Sequence, residues 1–176
     1  PQSIQVIPQA VLAEQGAFTL SDAMRNVPGI ALQAGEGGGA SGTAGDMFNM
    51  RGFSAASSLF VDNVRDDGLI TRDVFNLEQV EVFLGPTGTD IGRGTAAGYV
   101  NMVTKAPHAG AAYNAAVSVG SAESRRVTAD VNQPAPLGSE GSWLAGTAFR
   151  LNALWQEGGV AGRDHAWNER TAVAPS

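Results

Sequence analysis

Two stretches of alternating residues, Leu77-Glu78-Gln79-Val80-Glu81-Val82-Phe83-Leu84 and Tyr99-Val100-Asn101-Met102-Val103-Thr104-Lys105, enclose the glycine-rich turn Asp90-Ile91-Gly92-Arg93-Gly94-Thr95. A period of two on both sides of one turn predicts a pair of strands, each with one face committed to a core. The turn carries a single Arg and lacks the Lys of a phosphate-binding loop, which points away from nucleotide chemistry. Gly92-Arg93-Gly94-Thr95-Ala96-Ala97-Gly98 approaches a dinucleotide fingerprint, but its spacing is one residue too long. The residues after it are strand-like rather than helical, and no suitably placed acidic residue comes about twenty residues on. The glycines are better read as allowing tight turns and close backbone packing.

Around this centre the chain is rich in turns. Its 176 residues include 23 Gly, and only 16% are charged, a balance that favours a strand-rich architecture with many unusual backbone positions. Zero Cys excludes a thiolate metal site, a Cys nucleophile and any disulfide. A net charge of −6 argues against a nucleic-acid binder, because neutralising phosphates needs a basic face. No run of eighteen apolar residues exists, which excludes a transmembrane helix and leaves membrane-crossing strands open. The chain opens at Pro1-Gln2-Ser3 with no Met, basic segment or apolar signal region, and reads as processed or truncated there.

Residues 3–7 alternate as a short strand, and Pro8 suits the first turn of a short helix that buries Val11 and Leu12 and ends near Gly16. A second helix is capped by Thr19, favoured by Asp22 in its first turn, striped by Leu20, Ala23, Met24 and Val27, and stopped by Pro28-Gly29. Residues 34–45 read as a long mobile loop. Strands are expected at residues 47–51, 57–64 and 77–84, with a polar loop at 65–72. After Pro107 the alternation puts apolar residues on one face and polar residues on the other, at residues 111–119 and 126–132. In the run 143–155, Trp143, Ala145, Thr147, Phe149, Leu151, Ala153 and Trp155 share a face while Arg150 and Asn152 point the other way. Twelve steps of about 3.3 Å span roughly 40 Å, and a strand tilt near 45° leaves about 28 Å of vertical rise, close to the height of an outer-membrane apolar band. A fourth strand is expected at residues 169–176, after a loop holding His165.

Asn49-Met50-Arg51-Gly52-Phe53, Leu59-Phe60-Val61-Asp62-Asn63-Val64 and Asn101-Met102-Val103-Thr104-Lys105, with the glycine-rich turn between the last two, resemble in sequence and order the plug domain of TonB-dependent outer-membrane receptors. Arg65-Asp66, Gly88-Thr89-Asp90-Ile91-Gly92-Arg93-Gly94 and Ala148-Phe149-Arg150-Leu151-Asn152 are most similar to the branch that takes catecholate-type iron siderophores. The resemblance implies an α+β plug domain, a mixed four-stranded sheet with short helices, over residues 1–106. The first antiparallel strands of a transmembrane β-barrel would come next, over residues 107–176. Four strands cannot close a barrel, and open edges are not tolerated in lipid, so the chain is expected to be the N-terminal portion of a larger receptor. The implied function is import of a ferric siderophore across the cell outer membrane into the periplasm. Implied partners are the ferric siderophore, outer-membrane lipid, and the TonB–ExbB–ExbD energy-coupling complex acting through a segment before Pro1.

The resemblance also nominates site residues. Arg51 and Arg93, beside small residues at apolar strand ends, are expected in crowded surroundings that demand acidic partners. In the family such Arg residues lock the plug to Glu residues on the barrel wall; an intraplug pair such as Arg93 with Glu81 is the other reading. Arg65 and Arg72, flanking Asp66 and Asp67, would attract an anionic ferric catecholate at the plug apex, or simply belong to a solvated loop. Phe48, Asn49 and Phe75 are divided between ligand contact and core packing. His108 and His165 have no ligand partner at a useful spacing, no nucleophile elbow or acid/base pair stands out, and siderophore iron arrives already chelated. No metal site, cofactor or catalytic residue is therefore expected, and the protein is not read as an enzyme. A soluble plug-like binding module without transport activity is the alternative, and it requires Trp143, Phe149 and Trp155 to be buried by protein.

Overall fold

A computed structural model describes residues 3–33, 45–55, 57–68, 70–86, 97–134, 146–160 and 163–176. The chain divides into two compact units, Pro1–Thr104 and Lys105–Ser176.

In the first unit the elements are β1 (Ser3–Pro8), α1 (Gln9–Glu14), α2 (Leu20–Met24), β2 (Ile30–Leu32), β3 (Phe48–Met50), β4 (Phe53–Ser54), β5 (Leu59–Val61), β6 (Val64–Arg65), β7 (Leu77–Leu84) and β8 (Gly98–Thr104). Five strands form one sheet in the order β1-β7-β8-β5-β6. Its pairs are antiparallel except β5 with β8, so the expected mixed sheet is present with the two-residue β6 as a fifth strand. The alternation puts Val80, Val82 and Leu84 of β7 and Val100 and Met102 of β8 on one buried face. Leu12 of α1 and Leu20, Ala23 and Met24 of α2 pack in the same core. The second helix starts where its cap predicts: Thr19 and Asp22 form a reciprocal capping box.

One expected strand is a hairpin instead, and another ends in one. Asp62 and Asn63 take φ values of 48° and 66°, and their turn splits residues 57–64 into β5 and β6. Arg51 and Gly52, at 49° and 86°, turn β3 into β4. Both are two-residue loops with positive φ at each central position, the geometry that matches strand twist. A short strand absent from the sequence reading, β2, pairs with β3 to give a separate three-stranded sheet with β4.

The second unit is an antiparallel meander of β9 (Ala112–Val119), β10 (Arg125–Pro134), β11 (Ala148–Val160) and β12 (Arg163–Pro175). One face exposes Tyr113, Val117, Phe149, Leu151, Trp155 and Val173, while the other buries Arg126, Asp130, Asn132, Arg150 and Asn152. That is the apolar-out, polar-in pattern of an outer-membrane strand. The long strand is displaced from its expected place. Trp143 lies outside the described residues, Gly146 turns at φ 80°, and the strand runs from Ala148 to Val160. The last strand begins at Arg163, ahead of the expected start at residue 169, so His165 stands on a strand rather than in a loop.

Candidate functional site

The polar loop joining β6 to β7 is built around Arg72. Its backbone N–H donates to Asp46 Oδ2 at 2.7 Å, and its carbonyl accepts from the N–H of Leu20 at 2.9 Å, at the start of α2. Its guanidinium meets Asp66 Oδ2 at 2.8 Å, the Gly68 carbonyl at 2.6 Å and the Ile70 carbonyl at 3.1 Å, and lies 3.7 Å from Asp46. A side chain so placed is 7% exposed. The expectation of an apical cation open to a ligand is corrected for Arg72, because three acceptors within its own loop hold the guanidinium inward. It staples the loop closed and fixes Asp66 rather than facing solvent.

Asp46 is the residue in this network that sequence reading missed. Its Oδ1 accepts from Ser21 Oγ at 2.9 Å, tying the loop to the first turn of α2. Burial raises the Asp46 carboxyl above the usual carboxylate range, with the hydrogen bonds from Arg72 and Ser21 opposing the rise. Asp66 is held below that range, first by the hydrogen bond from the Arg72 side chain.

Arg65 differs. It stands on β6, half-buried, with its guanidinium carbon 4.9 Å above the Phe60 ring and Nη1 donating to the Ser57 carbonyl. Phe60 meets Tyr99 edge-on at 5.4 Å, and Tyr99 stacks on Phe83 at 4.3 Å. These rings occupy the sheet face opposite the core and end in a cation, a chain of quadrupole contacts that fixes the Arg65 stem while part of it remains in solvent. Beside them Asn101, fully buried, donates to Glu81 Oε2 at 2.9 Å and accepts from the Asn63 N–H at 2.9 Å. Glu81 also accepts from Gln79 at 2.7 Å.

The other nominated residues separate. Phe48 is buried in the core, which settles its placement in favour of packing. Asn49 is half-buried and accepts from Gln33 Nε2 at 3.2 Å, and Phe75 is half-buried in the turn before β7. Arg51 is exposed on the turn it occupies, and its backbone N–H donates to Gly29 O at 2.8 Å. Arg93 lies outside the described residues. Glu81, its suggested intraplug partner, is engaged by Asn101 and Gln79. A cleft of about 80 Å³ lies between β1 and the two helices, lined in part by Ile7, Val11 and Val27. Small-molecule sites run to several hundred Å³, so this cleft is too small for a siderophore.

Known proteins match both units. Residues 1–99 fit the family model described as the TonB-dependent Receptor Plug Domain. The sequence is 45% identical over 176 residues to the catecholate siderophore receptor Fiu of Escherichia coli K12, covering 99% of this chain and 22% of that protein. It is 43% identical to the probable TonB-dependent receptor BfrD of Bordetella pertussis, covering 100% of this chain and 22% of that protein. The chain thus spans little more than a fifth of the length of the curated relatives it matches. Among solved structures, the closed form of E. coli Fiu superposes with a TM-score of 0.86 at 44% identity, over 99% of this chain and 23% of that one. The siderophore receptor PiuA of Acinetobacter baumannii gives 0.83 at 33% identity, over 99% and 24%.

Proposed function

The chain belongs to the plug-domain family of TonB-dependent receptors, proteins of the bacterial outer membrane, and on that premise we propose that it forms the plug and first barrel strands of an importer of ferric siderophores, of the catecholate type. The observation that carries the reading is the union, in one chain, of a plug fold with four strands whose exposed face is apolar and whose opposite face is buried and polar. A wall with that polarity is built for lipid on one side. The alternative of a soluble binding module requires burial of the apolar face, but Tyr113, Val117, Phe149 and Val173 are exposed across its strands.

In this mechanism the ferric siderophore binds at the outer apex, and the TonB–ExbB–ExbD complex pulls on a segment preceding Pro1 to rearrange the plug. Arg51, exposed on its hairpin turn, and Arg93 are the side chains proposed to lock the plug to acidic groups of the wall. Iron is cargo, already chelated, and needs no ligands from this chain. The test is uptake of radioactive iron as a ferric catecholate by cells that have the intact receptor as their sole catecholate importer. Uptake should occur and should fall to background when TonB is deleted; TonB-independent uptake, or none with any catecholate, would overturn the proposal.

Arg65 is the proposed ligand-facing cation of the plug, and Arg72 acts through the loop it closes. Arg65→Glu exchanges attraction for repulsion towards an anionic complex, and about a tenfold loss of affinity is expected, the equivalent of ~1.4 kcal/mol. Equilibrium binding of a ferric catecholate to the purified receptor, read by quenching of tryptophan fluorescence, measures it. Unchanged affinity would remove Arg65 from the site.

A further inference from the structure

Residues 105–110 form no ladder with any strand, yet they are held more densely than a connector requires. Lys105 Nζ meets Asp130 Oδ2 at 3.0 Å and Asn152 Oδ1 at 3.2 Å, and the Lys105 carbonyl accepts from Ser176 Oγ at 3.1 Å. The Ala106 carbonyl accepts from Arg150 Nη1 at 3.1 Å. Asn132, fully buried, accepts from the His108 N–H at 3.0 Å and donates to the His108 carbonyl at 2.8 Å and the Gly110 carbonyl at 2.5 Å. Arg150 in turn grips Asp130 through two bonds of 2.8 and 2.7 Å. The side chains come from β10 and β11, with Ser176 just beyond β12, so the segment is tied across three neighbouring strands.

Buried ion pairs are poor sources of stability compared with apolar packing, and their directional bonds instead fix position. An apolar strap of the same length would slide along the wall under load. A strap held by an ion pair, a guanidinium and a bidentate carboxamide must break several bonds together before it moves.

We propose that residues 105–110 are a mechanical anchor, the stop at which unfolding of the first unit by force ends while the second unit stays intact. The proposal rests on the import reading for the origin of the force. Its physical content is independent of that reading, since the anchor should resist load whatever the cargo. Force enters the segment through the Thr104–Lys105 peptide bond, and the bonds above pass it to the wall.

Single-molecule force spectroscopy tests this on the intact receptor in a lipid bilayer, pulled from the N-terminal side of the plug. The wild-type protein should yield the plug and then hold, with residues 105–110 released only at a distinctly higher force. Lys105→Met keeps the Asp130–Arg150 pair, and Asn132→Val removes the carboxamide clamp. Each should lower the force at which these six residues follow the plug, an event that adds about 20 Å of contour length. If the wild type already releases those 20 Å with the plug, or if both variants match the wild type, the segment is not an anchor. The measurement needs neither TonB nor siderophore, so failed uptake with a preserved stop would sink the import reading alone.

Discussion

Asp130→Ala is expected to destabilise the protein by about 3–5 kcal/mol, the range observed when one partner of a buried ion pair is removed. Asp130 pairs with both Lys105 and Arg150, all three no more than 8% exposed. Each attraction is worth about 4 kcal/mol at 4 Å with an effective dielectric near 20, enough to offset much of the desolvation of the three ions only while the carboxylate stands between the two cations. Without it, two like charges remain buried on one face. Urea unfolding of the protein in detergent, monitored by tryptophan fluorescence, measures the loss. Lys105→Met should cost much less, because it leaves the Asp130–Arg150 pair bidentate and formally neutral. An Asp130→Ala midpoint equal to that of Lys105→Met would mean the cluster is wetter and weaker than its geometry indicates.

That cluster marks where sequence reading loses its grip. Asp130, Asn132, Arg150 and Asn152 are legible as members of a polar face, because a period of two requires only neighbouring residues. Which of them meet depends on the register that pairs Asp130 with Asn152. That register spans the long connection between β10 and β11, and nothing local specifies it. The capping box of α2 was legible for the opposite reason, since Thr19 and Asp22 are three residues apart. Arg72 and Asp46 are 26 residues apart, and a loop of Arg, Asp and Gly has the same composition whether it is solvated or stapled. The Asp62-Asn63 hairpin did have a local signal, two residues tolerant of positive φ, but the apolar run on either side concealed it. The order of motifs revealed the plug, while the orientation of Arg51 came from a turn that the motif itself contains.

Gly98→Ala should be as damaging, by about 3–5 kcal/mol, through a purely steric route. Gly98 has a φ of 122°, a conformation strained for any L side chain. A Cβ there would lie 1.8 Å from the Phe83 carbonyl oxygen, 2.8 Å from its carbon and 3.0 Å from the Leu84 Cα. All three are backbone atoms, so no rotamer change relieves the clash. Relief requires β7 and β8 to part at the Leu84–Gly98 pair, beside the Gly85 N–H to Ala97 carbonyl bond and under the buried Leu84 and Val100. Strain and overpacking each contribute about 1–3 kcal/mol. Gly16→Ala separates them: its φ of 62° carries the strain, but nothing lies within 4 Å of the added carbon, so about 1–2 kcal/mol is expected. Urea unfolding of both variants, with hydrogen exchange of the β7 and β8 amides, reads the difference. Equal losses would show that the sheet accommodates the methyl group and that this close approach does not constrain the plug, whereas selective loss of protection at β7 and β8 in Gly98→Ala would show that the glycine is there to let two backbones touch.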